Sequence, residues 1–181
     1  MARLFVAVWP PEDLLDLVAA LPRPDATGLR WTSRDQWHVT LRFLGPVDDV
    51  DGAVRALGVV GATPATNATL GPAVGRFGQR VLHVPVTGLD EVAAAVASVT
   101  AEIGRPLEAR PFSGHLTLAR AKRGVAVDLR RLVGAPVSGR WPVKEVCLME
   151  SHLSPRGARY EVVARAPLAR AAVAAPDRPG A

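Results

Sequence analysis

Cysteine, tyrosine and lysine are nearly absent from this chain. Its 181 residues include one Cys, one Tyr and two Lys. A lone cysteine, Cys147, excludes a disulfide framework within the chain. It lies in the apolar run EVCLME, where a small buried core residue is the expected role. No apolar stretch approaches the ~20 residues that span a bilayer. The opening MARLFVAVWPP has an apolar run too short for a secretory signal, and Pro10-Pro11 cut it off. No membrane association and a cytoplasmic location are therefore expected. There is no GxxxxGK[ST] loop, and no GxGxxG set between a strand and a helix.

What is present is an ordinary globular composition, 49% hydrophobic and 22% charged, with a net charge of +5. Its size suits one domain of two small lobes, over about 1–170. Nearly all the basic residues are arginine. A guanidinium fork matches phosphate, so the charge permits a polyanionic partner. The richness in Ala, Gly, Pro and Val that accompanies it is also what GC-rich coding produces.

The pattern along the chain alternates between strands and helices. RLFVAVW reads as a strand ended by Pro10. PPEDLLDLVAAL reads as a helix with its acids at the correct end. WHVTLRFLG is a strand, and VDDVDGAVRALGVV a helix of modest amphipathicity. ATLGPAVGRFG and RVLHVPV read as two strands around Gly78. LDEVAAAVASVTAEIG predicts a helix stopped at Gly104. SGHLTLAR is a strand and VDLRRLVG a short helix. RWPVKEVCLMESHL and ARYEVVARAPL predict two strands joined by the turn SPRG. From Ala171 the chain is Ala- and Pro-rich without pattern, so 171–181 is expected to be a disordered tail. The sum is an α+β fold, bilobal, with two mostly antiparallel sheets flanked by helices and a central cleft.

One repeat stands out. Residues 38–41 read HVTL and residues 115–118 read HLTL, one in each half. In this composition a histidine is followed by x-Thr-Leu by chance roughly 0.5% of the time. Strand alternation puts His38, Thr40 and Arg42 on one face, with Val39, Leu41 and Phe43 behind. It puts His115 and Thr117 together, with Leu116, Leu118 and Arg120 opposite. If the two fronts face each other, two imidazoles and two hydroxyls meet across a cleft. A neutral imidazole takes a proton and a charged one gives a proton. A threonine hydroxyl donates to a phosphate oxygen without adding charge. The set points to phosphodiester chemistry without metal. Neither motif brings the third ligand that a catalytic zinc needs. Ser113 beside His115 does not make a triad.

These residues resemble the 2H phosphoesterase superfamily, and within it the RNA 2′,3′-cyclic phosphodiesterase, or 2′-5′ RNA ligase-like, family. RLFVAVWPP resembles the opening strand of that family, and WHVTLRFLG and RPFSGHLTLAR its two motif blocks. LMESHLSPRGARYEVVARAPL resembles its closing hairpin, with an acidic-Ser pair and a Tyr. The resemblance implies hydrolysis of a 2′,3′-cyclic phosphate at an RNA 3′ end to a 2′-phosphomonoester, by an enzyme with no cofactor. It implies His38 as proton donor, His115 as proton acceptor, and Thr40 and Thr117 as holders of phosphate oxygens. Arg120 and Arg42 are candidate phosphate contacts. Gly114 stands where the family commonly has Pro, which implies a looser approach to the second motif. The residues alone do not order the two histidines.

Two other readings use the same cleft: an RNA-end-binding module with little turnover, or a phosphodiesterase of a small cyclic nucleotide or ADP-ribose cyclic phosphate. A monomer is expected. His83 and His152 are expected to be strand or surface histidines, and Trp9, Trp31, Trp37 and Tyr160 to serve mainly in packing.

Overall fold

The computed structural model describes residues 1–125, 127–154 and 157–170. The tail 171–181, and Pro155 and Arg156 of the SPRG turn, lie outside the described residues. β1 (Ala2–Val8) is apolar and buried from Leu4 to Val8 because both faces of that stretch are covered. Leu4, Val6 and Val8 enter the main core, while Phe5 and Ala7 turn the other way, against Cys147 and Met149. Cys147 is 1% exposed, the core residue expected of it.

The remaining strands are β2 (Leu29–Trp31), β3 (Val39–Val47), β4 (Thr66–Leu70), β5 (Gly75–Phe77), β6 (Val81–Thr87), β7 (His115–Ala121), β8 (Gly139–Val143), β9 (Glu145–Ser154) and β10 (Gly157–Pro167). The order across the sheet is β10-β9-β1-β3-β7-β6-β4-β8, with β2 beside β7 and β5 beside β6. Every strand pairing is antiparallel. The helices are α1 (Glu12–Ala19), α2 (Val50–Val59) and α3 (Asp90–Val99). The fold is α+β, as the alternating pattern indicated.

The motif strands β3 and β7 are neighbours joined by one pair, Val39 opposite Leu116. Beyond that pair they diverge, β3 continuing with β1 and β7 with β6 and β2. The lobe β10-β9-β1-β3 and the lobe β7-β6-β4-β8 are therefore joined within the sheet by that single pair, and the cleft opens beside it. Both residues of the joining pair are fully buried. Helices α2 and α3 cover the first lobe, α2 on β9 and β10 and α3 on β3. Leu14 of α1 reaches Gly139 of β8 in the second lobe.

Several boundaries differ from the sequence pattern. ATLGPAVGRFG is two strands, β4 and β5, because Pro72 has no N–H to continue a ladder. RWPVKEVCLMESHL also divides, at Lys144: β8 pairs with β4, and β9 with β1 and β10. β2 is three residues long and carries no periodic signal. α3 stops at Val99, before Gly104. VDLRRLVG yields one 3₁₀ turn, Leu129–Leu132, capped by Asp128. The closing hairpin is as expected, with Ser154 opposite Gly157.

Candidate active site

A β-bulge decides which side chains each motif presents. Along β1–β3, Val6 opposes Arg42 but Ala7 opposes Thr40, so Leu41 is an extra residue. Along β6–β7, Leu82 opposes Ala119 but His83 opposes Thr117, so Leu118 is extra. Both bulges fall on the leucine of the tetrapeptide, and both leucines stay in the core. A one-residue bulge inverts the facing of everything beyond it.

The inversion corrects the strand-alternation reading at two arginines. Arg42 turns away from the histidines and is 8% exposed. Its Nη1 donates to the Ala97 carbonyl (3.0 Å) and Thr100 Oγ1 (2.8 Å), and its Nη2 to the carbonyls of Arg105 (2.9 Å) and Ile103 (3.4 Å). It closes the C-terminal end of α3, where carbonyls lack helical partners and a cation is favoured. In its place Phe43 faces the cleft. Arg120, which alternation alone puts opposite His115, is brought onto the cleft side, with Nη2 3.4 Å from Thr117 Oγ1.

His38, Thr40, His115, Thr117 and Arg120 all line one cavity of about 260 Å³. Its other lining residues include Arg3, Phe5, Phe43, Ser151 and Tyr160, and among the described residues no carboxylate lines it. Two guanidiniums, two imidazoles and three threonines around a space with no acid among the described residues favour an anion. Among the described residues no three His, Cys, Asp or Glu come together in a way that could hold a metal ion.

The two imidazoles have different surroundings. His38 sits between Phe5 and Tyr160, each with a ring centroid 5.0 Å away, and 5.3 Å from Trp9. Its Nε2 is 3.2 Å from Thr40 Oγ1, and its buried Nδ1 has no partner at hydrogen-bonding geometry. Burial lowers its pKa to about 4; the Gln36 backbone opposes the fall, and His115 and Arg120 add to it. His115 Nδ1 lies 2.8 Å from the Ser113 carbonyl. A carbonyl can only accept, so Nδ1 carries the proton and Nε2 presents its lone pair. Burial lowers the His115 pKa as well, opposed by the Ser113 hydrogen bond and assisted by Arg120 and Arg110.

Gly114 is tight rather than loose. Its carbonyl accepts from Val86 N at 2.9 Å, and a Cβ on it would stand 2.4 Å from the Val86 carbonyl oxygen. Only glycine lets the chain lie this close to β6 just before His115.

Other residues at or beside the cleft were not site candidates from the sequence. His83 opposes Thr117 on β6, is 7% exposed, and stacks on Phe77 with centroids 3.9 Å apart. Its ring lies 5.7 Å from that of His115, and its Nδ1 is buried without a partner. Burial, then His115, lowers its pKa to about 4. Tyr160 does more than pack, since it lines the cavity edge-on to His38. Ser151 was marked only as part of the acidic-Ser pair of the closing hairpin. His152 is a surface histidine, 3.4 Å from Glu161 Oε2. Trp37 is buried, its Nε1 donating to Thr32 Oγ1 at 3.0 Å.

A curled antiparallel sheet with a His/Thr pair from each lobe on one cavity, lined by no carboxylate among the described residues, defines a protein with a paired-histidine cleft. The family model of the 2′-5′ RNA ligase superfamily matches residues 10–155, and the chain belongs to that superfamily. A curated Geobacillus stearothermophilus protein named RNA 2′,3′-cyclic phosphodiesterase is 30% identical over 160 residues, covering 81% of this chain and 49% of that protein. The chain thus spans about half the length of that relative. The crystal structure of TT0787 from Thermus thermophilus is similar at 27% identity and a TM-score of 0.76, covering 92% of this chain and 97% of that one. That of Escherichia coli LigT complexed with 3′-AMP is similar at 27% identity and a TM-score of 0.70, covering 92% and 98%.

Proposed function

We propose that the cleft hydrolyses a 2′,3′-cyclic phosphate at an RNA 3′ end, leaving a 2′-phosphomonoester. The observation that carries this reading is the lining of the cavity: two His/Thr pairs and Arg120, with no carboxylate among the described residues. The name of the Geobacillus relative and the 3′-AMP held by LigT support it.

The proposed chemistry follows from the two imidazoles. His115 Nε2 takes a proton from water as the water oxygen attacks phosphorus. The bond from phosphorus to the 3′ oxygen breaks, and His38 gives that oxygen a proton. Thr40 and Thr117 donate to the non-bridging oxygens, and Arg120 offsets their charge. One water is consumed, His115 ends protonated and His38 neutral, and exchange with solvent resets both.

A low pKa suits His115 as a base, which must be neutral at the working pH. His38 needs the reverse. In the free protein it is neutral at pH 7, and the anionic substrate supplies the opposite charge that raises it. The acid limb of kcat/KM is therefore expected below pH 6.5, reporting His115 in the free enzyme. The basic limb of kcat reports His38 in the complex. Mass spectrometry of the products from an RNA ending in a 2′,3′-cyclic phosphate tests the reaction. A 2′-phosphate product with EDTA present is expected. Binding of that RNA without product leaves a clamp for RNA ends, and activity lost to EDTA rejects the metal-free scheme.

A further inference from the structure

Two arginines converge on one aromatic ring at the edge of the catalytic cavity. Arg3 of β1 lines that cavity beside Phe43, its Cζ 4.7 Å from the Phe43 ring centroid. Arg105 comes from the segment after α3, and its Cζ lies 5.4 Å from the same centroid. Its backbone is held by Arg105 N donating to the Leu44 carbonyl at 2.8 Å. Gly45, at φ +74°, leaves room for the side chain: a Cβ there would stand 3.0 Å from Arg105 Cγ and Nε.

Neither guanidinium meets a carboxylate within 4.0 Å among the described residues, whereas Arg34, Arg55 and Arg165 each do. Arg3 Nε is buried without a hydrogen-bond partner. Stacking fixes the plane of a guanidinium and leaves its N–H edge free to bind. Two such forks beside one ring, like in charge and lacking an acid, offer unpaired donors to an anion at that edge of the cavity.

That anion is distinct from the reacting phosphate. Thr40 opposes Ala7 and Phe43 opposes Phe5, two residues further along β1, a step of about 7 Å. This is on the order of one nucleotide of backbone. A terminal 2′,3′-cyclic phosphate has chain only on its 5′ side. We propose that Arg3 and Arg105, clamped on Phe43, form a second phosphate subsite for the internucleotide phosphate next to the RNA end. The inference rests on the hydrolytic reading and deepens it: the preferred substrate is an oligonucleotide end rather than a free nucleoside cyclic phosphate.

The test compares uridine 2′,3′-cyclic phosphate with an RNA decamer carrying the same 3′ end. The variants of the whole protein are Arg3→Gln, Arg105→Gln, both together, and Arg55→Gln as control, each checked by its melting temperature. The double variant is expected to lose roughly 10- to 100-fold in kcat/KM on the decamer and at least roughly ten-fold less than that on the mononucleotide, so that the preference for the decamer falls. The slope of log kcat/KM against log salt on the decamer falls by about 1 per arginine removed. Arg3→Lys keeps the charge without the fork and retains part of the decamer preference.

Equal loss on both substrates, or loss on neither, overturns the subsite. If the wild type turns over neither substrate, the hydrolytic reading fails on its own. Anisotropy of a labelled, 3′-phosphorylated decamer then decides the subsite: weaker, less salt-dependent binding in the double variant sustains it, and unchanged binding overturns it.

Discussion

His38 stands among Phe5, Trp9 and Tyr160 with an unpartnered Nδ1, whereas His115 is anchored to the Ser113 carbonyl beside the stack of His83 on Phe77. The two motifs share three of four letters and place their bulges on the same leucine. After the bulge they part. In the first, Arg42 goes inward and Phe43 faces the cleft; in the second, Ala119 goes inward and Arg120 faces the cleft. A repeated tetrapeptide therefore repeats a backbone device and not an environment. One imidazole is set by apolar rings and the other by a fixed tautomer, and a division between donor and acceptor needs that kind of difference.

The largest expected effect tests whether the two histidines are both indispensable. His38→Ala and His115→Ala should each lower kcat/KM on a cyclic-phosphate RNA by roughly 100- to 10,000-fold with the fold retained by circular dichroism. If either variant keeps most of the activity, the paired scheme is wrong.

Next is the contrast between the arginines. Arg42→Met should lower stability by about 2–4 kcal/mol, since it strands Thr100 and three carbonyls at the end of α3, and denaturant unfolding reads this directly. Arg120→Gln should leave stability within about 0.5 kcal/mol and reduce kcat/KM roughly 10- to 100-fold. A reversal of the two outcomes would put the bulges in the wrong place.

A smaller effect follows from acid. His38 and His83 have native pKa values near 4, below the ~6.5 of an unfolded histidine, so the unfolded chain binds more protons between those values. Stability is complete above about pH 6.5 and falls by up to about 1.4 kcal/mol per pH unit per group as pH drops toward 4. His38→Phe should remove its share, measured as a flatter dependence of Tm on pH over that range.

The subtlest measurement is the His38 titration itself. NMR of the imidazole should show its pKa rising from about 4 when a nucleoside 2′-phosphate enters the cleft. A value unmoved by the anion would disqualify His38 as the proton donor.

The α+β class, the three helices, the core strands and the pairing of His38 and Thr40 with His115 and Thr117 were legible in the residues themselves. Periodicity, helix-end chemistry and the recurrence of one tetrapeptide are local signals, and a chain carries them before it folds. The facing of Arg42 and Arg120 was not legible, because a bulge is a mismatch between two strands and belongs to neither alone. Nor were the strand breaks at Pro72 and Lys144 placed, or the roles of His83, Ser151 and the arginines on Phe43. Those depend on which strand lies alongside which, and only the folded sheet brings β1, β3, β6 and β7 together. Composition and spacing determined which reactive side chains this chain carries. Register between distant strands decided which side chains meet it, since a shift of one residue reverses every face beyond it.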